Sequence, residues 1–145
     1  MQTEAASGSR IQWRTLSIEC ADADAMAAFY CSLLDWDVNE RGDIDPDTQR
    51  SGWVTLRNPT GDIALAFGAQ TEYEPPVWPG QSGEQTMMMH LEIAVEDVQA
   101  SVERAVAAGG VIAAWQPPNR DPQQLRVILD PAGHPLCLFY DPAFN

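Results

Sequence analysis

Two polar side chains in the second half of the sequence have the chemistry of a functional site. His90 and Glu92 lie two residues apart in a stretch that alternates polar and apolar residues, so they share one face of a predicted strand. Glu92 can orient the imidazole there, which makes His90 a candidate general base for a proton next to a carbonyl. The same placement is expected for a histidine that is hydrogen-bonded in a pocket wall and performs no chemistry.

A cysteine near the C-terminus is the other candidate for chemistry. Cys137 shares a predicted strand face with Phe139, and the residues between and beside them are apolar. A thiol with a lowered pKa is a nucleophile, whereas a cysteine on an apolar strand is more often a small buried hydrophobe. The sequence leaves both interpretations of Cys137 open.

The composition restricts the classes of partner. The 145 residues carry a formal net charge of −13, and all eight basic residues are arginines. Binding of nucleic acid requires a basic surface, so we expect no nucleic-acid partner. No apolar run is long enough to cross a membrane, and the N-terminus has no features of a secretion signal. Three cysteines without CxxC spacing fit a reducing compartment, so we expect a cytoplasmic protein.

Two strand–helix units at matching spacing must position these residues. The sequence predicts a strand over 11–20 before a helix capped by Asp22 or Asp24, and a strand over 87–95 before a helix over 97–108. Asp97 begins the second helix and lies 75 residues after Asp22. Each helix is followed by three more predicted strands, at 36–40, 52–57 and 62–69 and again at 111–115, 125–129 and 134–140.

The turns before the last strand of each half repeat as well. Pro59 and Gly61 match Pro131 and Gly133 at a spacing of 72 residues. Matching turns and helix caps indicate an internal duplication. We therefore predict an α+β fold of two βαβββ modules whose helix-free sheet faces form a shared concave cup. The predicted parts are a disordered tail over 1–10, a first module over 11–69, a linker over 70–86 and a second module over 87–145.

This pattern resembles the vicinal oxygen chelate superfamily, also known as the glyoxalase/bleomycin-resistance/dioxygenase fold. The resemblance extends from about residue 11 to residue 140. The residues that carry it are Asp22 with Ala28-Phe29-Tyr30 and Leu34, the two Pro-x-Gly turns, and His90-Leu91-Glu92-Ile93 ahead of Asp97. The segment Pro75-Pro76-Val77-Trp78-Pro79-Gly80 is most similar to the glyoxalase-like subgroup.

The resemblance implies a cup that holds a small molecule and, in many members, a divalent metal. Carried over by position, the four metal slots are Thr15, Leu65, His90 and Cys137. Leucine cannot bind a metal and a neutral hydroxyl is a poor ligand, so we expect no catalytic metal and no other cofactor. His90 and Cys137 remain metal candidates, with Glu19 or Glu92 as a third ligand to a soft ion such as zinc. Convergence of these slots would also let His90 lower the pKa of Cys137.

Alternation along the strands predicts the residues that line the cup, with Trp78 of the linker folded over its mouth. The expected ligand-binding residues are Thr15, Ser17, Leu65, Phe67, Trp78, Met88, His90, Cys137 and Phe139.

Three functions are compatible with this site. We favour a homodimer that binds a small, partly apolar organic molecule without a metal, as resistance-type members of the superfamily do. The second is a lyase, isomerase or dioxygenase in which His90 and Glu92 are catalytic, with or without a metal. The third is a non-catalytic interaction module whose cup is filled by its own side chains.

Overall fold

The computed structural model describes residues 8–143, so most of the predicted tail over 1–10 lies outside the described residues. The α+β fold with two βαβββ modules is confirmed. The first module consists of β1 (Leu16–Cys20), α1 (Ala23–Leu34), β2 (Asp37–Arg41), β3 (Trp53–Arg57) and β4 (Ile63–Ala69). The second consists of β5 (Leu91–Val95), α2 (Val98–Ala107), β6 (Val111–Ile112), β7 (Leu125–Leu129) and β8 (Pro135–Tyr140). Within residues 8–143, no helix is long and apolar enough to cross a membrane.

The two sheets have the same topology. Their strand orders are β1-β4-β3-β2 and β5-β8-β7-β6. In each sheet the first strand of the module pairs in parallel with the last, and the other neighbours are antiparallel. β1 and β5 therefore lie at the edges of their sheets, and no strand among residues 8–143 pairs with their outer sides.

The helix caps and turns of the two modules match in atomic detail. Asp22 Oδ1 and Asp97 Oδ1 each accept the backbone N–H three residues further on at 3.0 Å, which satisfies a donor that the helix start leaves free. Asn58 Oδ1 and Asp130 Oδ1 each accept the N–H groups two and four residues further on, at 2.9–3.1 Å. The two modules therefore use the same caps and turns at the positions where the sequence spacing predicts a duplication.

The two modules share one core through their helices. The buried side chains of α1 and α2 belong to a single cluster with the inner faces of both sheets. Gly110, after α2, allows a close approach, because a Cβ there would lie 2.7 Å from Phe29 Cε1 of the first module. Arg104 Nε of α2 donates to the Ser32 carbonyl of α1 at 2.7 Å.

A buried polar contact links the modules inside this core. The Tyr30 hydroxyl on α1 donates to Asp130 Oδ2 in the β7–β8 turn at 2.8 Å, and the two side chains are almost fully buried. Burial raises the pKa of the Asp130 carboxyl above its usual value, while the hydrogen bond from Tyr30 and the nearby His134 act in the opposite direction. The bond therefore compensates the loss of water around a buried acid.

Several predicted strand boundaries are wrong. β1 begins at Leu16 rather than at residue 11, and β5 begins at Leu91, so His90 precedes the strand instead of lying within it. β6 ends at Ile112 because the Gln116 side chain enters the ladder beside it. The Gln116 amide accepts the Val127 N–H at 2.8 Å and donates to the carbonyls of Val127 and Ala113 at 2.8 and 3.0 Å.

The predicted placement of Leu65 and Phe67 on the cup is also wrong. Both side chains are buried on the helix-covered face, where Phe67 stacks on Tyr30 with ring centroids 5.4 Å apart. The cause is a β-bulge between β3 and β4, in which Ala64 is an extra residue between two paired positions. One extra residue turns every following side chain to the opposite face, so counting forward from the Pro-x-Gly turn selects the wrong residues.

We expect the substitution Tyr30→Phe to lower the free energy of unfolding by about 1–3 kcal/mol at neutral pH, because it leaves a buried carboxylate oxygen without its donor. Urea unfolding followed by circular dichroism measures this. The matched variant Asp130→Asn removes the charge, retains the turn geometry seen at Asn58, and is expected to cost less. Equal stability of Tyr30→Phe and the parent chain would contradict the assignment.

The stability difference between the parent chain and the Asp130→Asn variant is expected to depend on pH. Because the pKa of Asp130 is raised in the folded state, its contribution to stability is present at acidic pH and is lost as the pH rises through the folded value. Relative to Asp130→Asn, the parent chain should therefore lose stability between pH 4 and pH 7. A stability difference that is the same at both pH values would contradict this prediction.

Candidate functional site

The cup face of the second sheet, opposite α2, combines polar and apolar side chains. Glu92 on β5 pairs with Cys137 on β8, which pairs in turn with Val127 on β7, so the three residues form one row across the sheet. The next row contains Ala94, Phe139 and Leu125. We refer to these six residues, together with His90, as the second cup face.

Three potential ligand atoms converge at one end of the second cup face. His90 Nε2 lies 3.1 Å from Glu92 Oε1. One imidazole nitrogen of His90, one carboxylate oxygen of Glu92 and Cys137 Sγ all lie within 4.8 Å of one another. His90 and Glu92 are exposed, whereas Cys137 is half-buried. The hydrogen bond to Glu92 fixes the orientation of the imidazole, as the spacing of the two residues predicts.

The environment of Cys137 does not favour a thiolate. Burial and then the Glu92 carboxylate raise the pKa of the Cys137 thiol, while Arg120 acts in the opposite direction. The expectation of a lowered Cys137 pKa is therefore wrong, because burial of the thiol and the neighbouring Glu92 carboxylate both disfavour the thiolate. Without a bound cation the thiol is protonated at neutral pH and is a weak nucleophile.

The donor set fits a borderline metal ion such as zinc. Imidazole, carboxylate and thiolate are all zinc ligands, and catalytic zinc sites have three protein ligands and one open position. The first module contributes no further ligand. Thr15 lies half-buried just before β1. In the first sheet, Ser17 and Ala66 occupy the positions that Glu92 and Cys137 occupy in the second, so Ala66 stands where Cys137 would be.

The apolar part of the second cup face lies under the linker. Trp78 packs, with Phe139 and Cys137, against the buried side chains of Leu125 and Val127. Its indole Nε1 donates to the Trp115 carbonyl at 3.3 Å, and the two indole rings meet edge to face with centroids 5.6 Å apart. Trp78 therefore covers the apolar half of the face and leaves the His90 end open.

The first sheet has a cup face of different chemistry. The face opposite α1 carries Ser17, Glu19, Trp53, Thr55, Ala66 and Gly68, which we refer to as the first cup face. Ser17 is exposed there, as predicted from alternation. Met88, before β5, is 87% exposed and contacts neither apolar cluster. No packing contact therefore supports its predicted role in lining the cup.

Sequence reasoning missed part of the site and its support. Leu125 and Val127 alternate along β7, and that alternation was sufficient to assign them to the cup. Gln116 carries no such signal, because its role depends on reaching Val127 in three dimensions. The local sequence around His134 does not indicate its contacts either. Its Nε2 lies 2.7 Å from the Glu19 carbonyl and 3.2 Å from the Tyr73 hydroxyl, which ties the turn before β8 to β1 and to the linker.

Two cavities adjoin the cup faces without lying on them. One of about 480 Å³ lies at the start of α2 and is lined by Glu96, Asp97, Val98, Gln99, Gln123, Gln124 and Tyr140. The other, of about 370 Å³, lies within the linker loop and is lined by Trp78, Gly80, Gln81, Ser82, Thr86 and Met87. Trp78 thus contacts the second cup face and the linker cavity.

Solved structures share this architecture at low sequence identity. TioX from Micromonospora sp. ML1 is 20% identical, with a TM-score of 0.54 over 89% of this chain and 98% of that one. A glyoxalase/bleomycin resistance protein/dioxygenase family enzyme from Burkholderia phytofirmans PsJN is 20% identical, with a TM-score of 0.55 over 87% and 95%. A glyoxalase-related enzyme from Fulvimarina pelagi is 22% identical, with a TM-score of 0.57 over 92% and 91%. These likenesses show the fold.

The sequence itself identifies the family. No curated protein matches the chain. The model of the glyoxalase-like domain matches residues 15–139, from the residue before β1 to the penultimate residue of β8. The chain belongs to the glyoxalase-like domain family.

Proposed function

We propose that the chain binds a small organic molecule on the second cup face, with its polar group at His90 and Glu92 and its apolar part beside Phe139. The observation that carries this proposal is the convergence of His90, Glu92 and Cys137 at the edge of an apolar cluster. Small-molecule sites combine an apolar wall with a few convergent polar groups in this way. In this proposal the ligand contacts the three side chains directly, without a metal.

Trp78 is the residue best placed to report binding. Its indole packs against the apolar cluster, so a ligand that enters beside Phe139 changes the surroundings of the ring. A panel of small aromatic alcohols, amines and carboxylic acids can be titrated by calorimetry and by tryptophan fluorescence.

For any panel member that binds, we expect Phe139→Ala to weaken binding by about tenfold through loss of apolar contact area. Tyr140→Ala is the matched control, because Tyr140 is the next residue of β8 and points to the opposite face. Circular dichroism verifies that each variant is folded. The proposal fails if no panel member binds, or if the two variants weaken binding equally.

We propose that a second copy of the chain completes the cup. β1 and β5 are sheet edges, and exposed apolar residues precede each of them. Trp13 is 75% exposed, and Met88 and Met89 are 87% and 79% exposed. Free strand edges beside exposed apolar side chains favour association between copies.

Sedimentation velocity tests this association. The parent chain is expected to sediment as a homodimer, and the substitution Met88→Asp is expected to shift it towards monomer by placing a charge in the apolar interface. Val106→Asp, on the exposed side of α2, adds the same charge elsewhere and is expected to leave the dimer intact. A monomeric parent chain would overturn the proposal.

A metal-dependent lyase, isomerase or dioxygenase is the second candidate function, and the three-donor cluster favours it. A bound zinc ion would act as a Lewis acid on a substrate oxygen. His90, Glu92 and Cys137 would hold the ion, and His90 would then serve as a metal ligand rather than as a general base.

Cobalt(II) substitution distinguishes these two candidates. Because a thiolate ligand gives an intense near-ultraviolet charge-transfer band, we expect that band in the parent chain and its loss in Cys137→Ser. The raised pKa of the Cys137 thiol means that metal binding must release its proton, so affinity should rise with pH. Cys31→Ser is the control, since Cys31 lies on α1. The metal candidate fails if Cys137→Ser keeps the band.

We assign this function to the cytoplasm. Cys20, Cys31 and Cys137 are all free thiols, and cysteines in reducing compartments remain in that form.

A further inference from the structure

Four residues form one row across the first cup face. Trp53 on β3 pairs with Gly68 on β4, and Gly68 pairs with Glu19 on β1. On the other side of Trp53, the Gly42 N–H donates to the Trp53 carbonyl at 2.8 Å. Two large side chains thus alternate with two glycines along the row. Each glycine leaves the space above it free for a neighbour or a ligand.

The Trp53 indole occupies the space above Gly42. A Cβ on Gly42 would lie 2.3 Å from Trp53 Nε1 and 2.6 Å from both Cδ1 and Cε2. Three ring atoms at almost equal distances mean that the five-membered ring lies with its face against Gly42. The side chain is nevertheless 42% exposed, so part of the indole remains accessible to a ligand.

The Glu19 carboxylate lies at the other end of the row. A Cβ on Gly68 would lie 3.6 Å from Glu19 Oε2, 3.9 Å from Gln70 Nε2 and 4.0 Å from Glu19 Oε1, so the carboxylate and the Gln70 amide both border the space above Gly68. Within residues 8–143 the carboxylate has no hydrogen-bond or ion-pair partner. The backbone of Glu19 is held by His134, whose Nε2 lies 2.7 Å from the Glu19 carbonyl.

The backbones of Trp53 and Glu19 are two strand spacings apart, which is roughly 10 Å and leaves room for a small ligand above the sheet. The neighbouring row consists of Ser17, Ala66 and Thr55, whose short side chains leave this space open. An ammonium placed over Gly68 therefore lies beside an unpartnered carboxylate, and an organic substituent on it can extend to the exposed part of the Trp53 side chain.

We propose that the first cup face binds a small organic cation, a primary or substituted ammonium, over Gly68 between Trp53 and Glu19. An ammonium is attracted to the face of an indole and donates hydrogen bonds to a carboxylate, whereas an anion is repelled by Glu19. The net charge of −13 attracts cations to the chain and adds to this preference. The inference rests on the proposed ligand-binding function and gives it a chemical class.

Benzylammonium is the probe, and benzyl alcohol is its neutral counterpart of nearly the same shape. Calorimetric titration is expected to show binding of benzylammonium at least tenfold tighter than of benzyl alcohol, and weaker binding as salt concentration rises. Glu19→Gln is expected to abolish the preference for the cation. Glu103→Gln removes one charge from the exposed side of α2 and is expected to leave the preference unchanged.

Trp53→Leu tests the aromatic contribution separately. It keeps an apolar side chain but removes the indole face, so it is expected to weaken benzylammonium binding by about fivefold or more. In nitrogen-15 spectra, the indole N–H signal of Trp53, identified by its loss in this variant, should shift on titration.

The cation site is overturned if benzyl alcohol and benzylammonium bind equally, or if Glu19→Gln has no effect on their ratio. The broader proposal of ligand binding has a different readout. A probe whose binding depends on Phe139 and not on Glu19 would retain the second cup face as a ligand site and reject the cation site. Binding that depends on Glu19 and Trp53 supports the cation site whatever the outcome at Phe139.

Discussion

The merger of two small modules into one core is the constraint on which the rest of the structure depends. A single βαβββ unit has one helix and four short strands, which enclose too little apolar surface to be stable alone. Here α1 and α2 share one buried cluster, and Phe29 of one module closes on Gly110 of the other. The buried contact between Tyr30 and Asp130 fixes how the modules meet. Because the helices are used for this contact, the opposite sheet faces are free for ligands.

Most of the fold is predictable because the duplicated helix caps and turns depend on residues that are close together in the sequence. The aspartates that cap both helices and the asparagine and aspartate that organise both turns use short-range hydrogen bonds, which leave a clear sequence signal. The strand bounds that failed depend on long-range events. β6 is short because Gln116 reaches back to Val127, and nothing in the local sequence around residues 111–115 indicates that contact.

The candidate site is predictable where register is regular and unpredictable where it is not. Glu92 and Cys137 are predictable because β5 and β8 pair without interruption, so alternation holds along both strands, and His90 lies directly before β5. In the first module, one extra residue at Ala64 reverses the alternation of β4, and Leu65 and Phe67 enter the core instead of the cup. Pattern analysis detects periodicity, but it cannot detect the one position where the period shifts.

The Gln116 side chain has a consequence for how sheets of this protein can grow. β6 ends at Ile112, so it does not pair with the whole of β7. The Gln116 amide bonds both the N–H and the carbonyl of Val127, so these two backbone groups of β7 are not free. A foreign strand cannot extend the second sheet there, because the donor and the acceptor that it requires are already used. Strand addition is thereby directed to the β5 side. One glutamine thus protects the part of β7 that β6 leaves uncovered, while the β5 edge remains available for specific assembly.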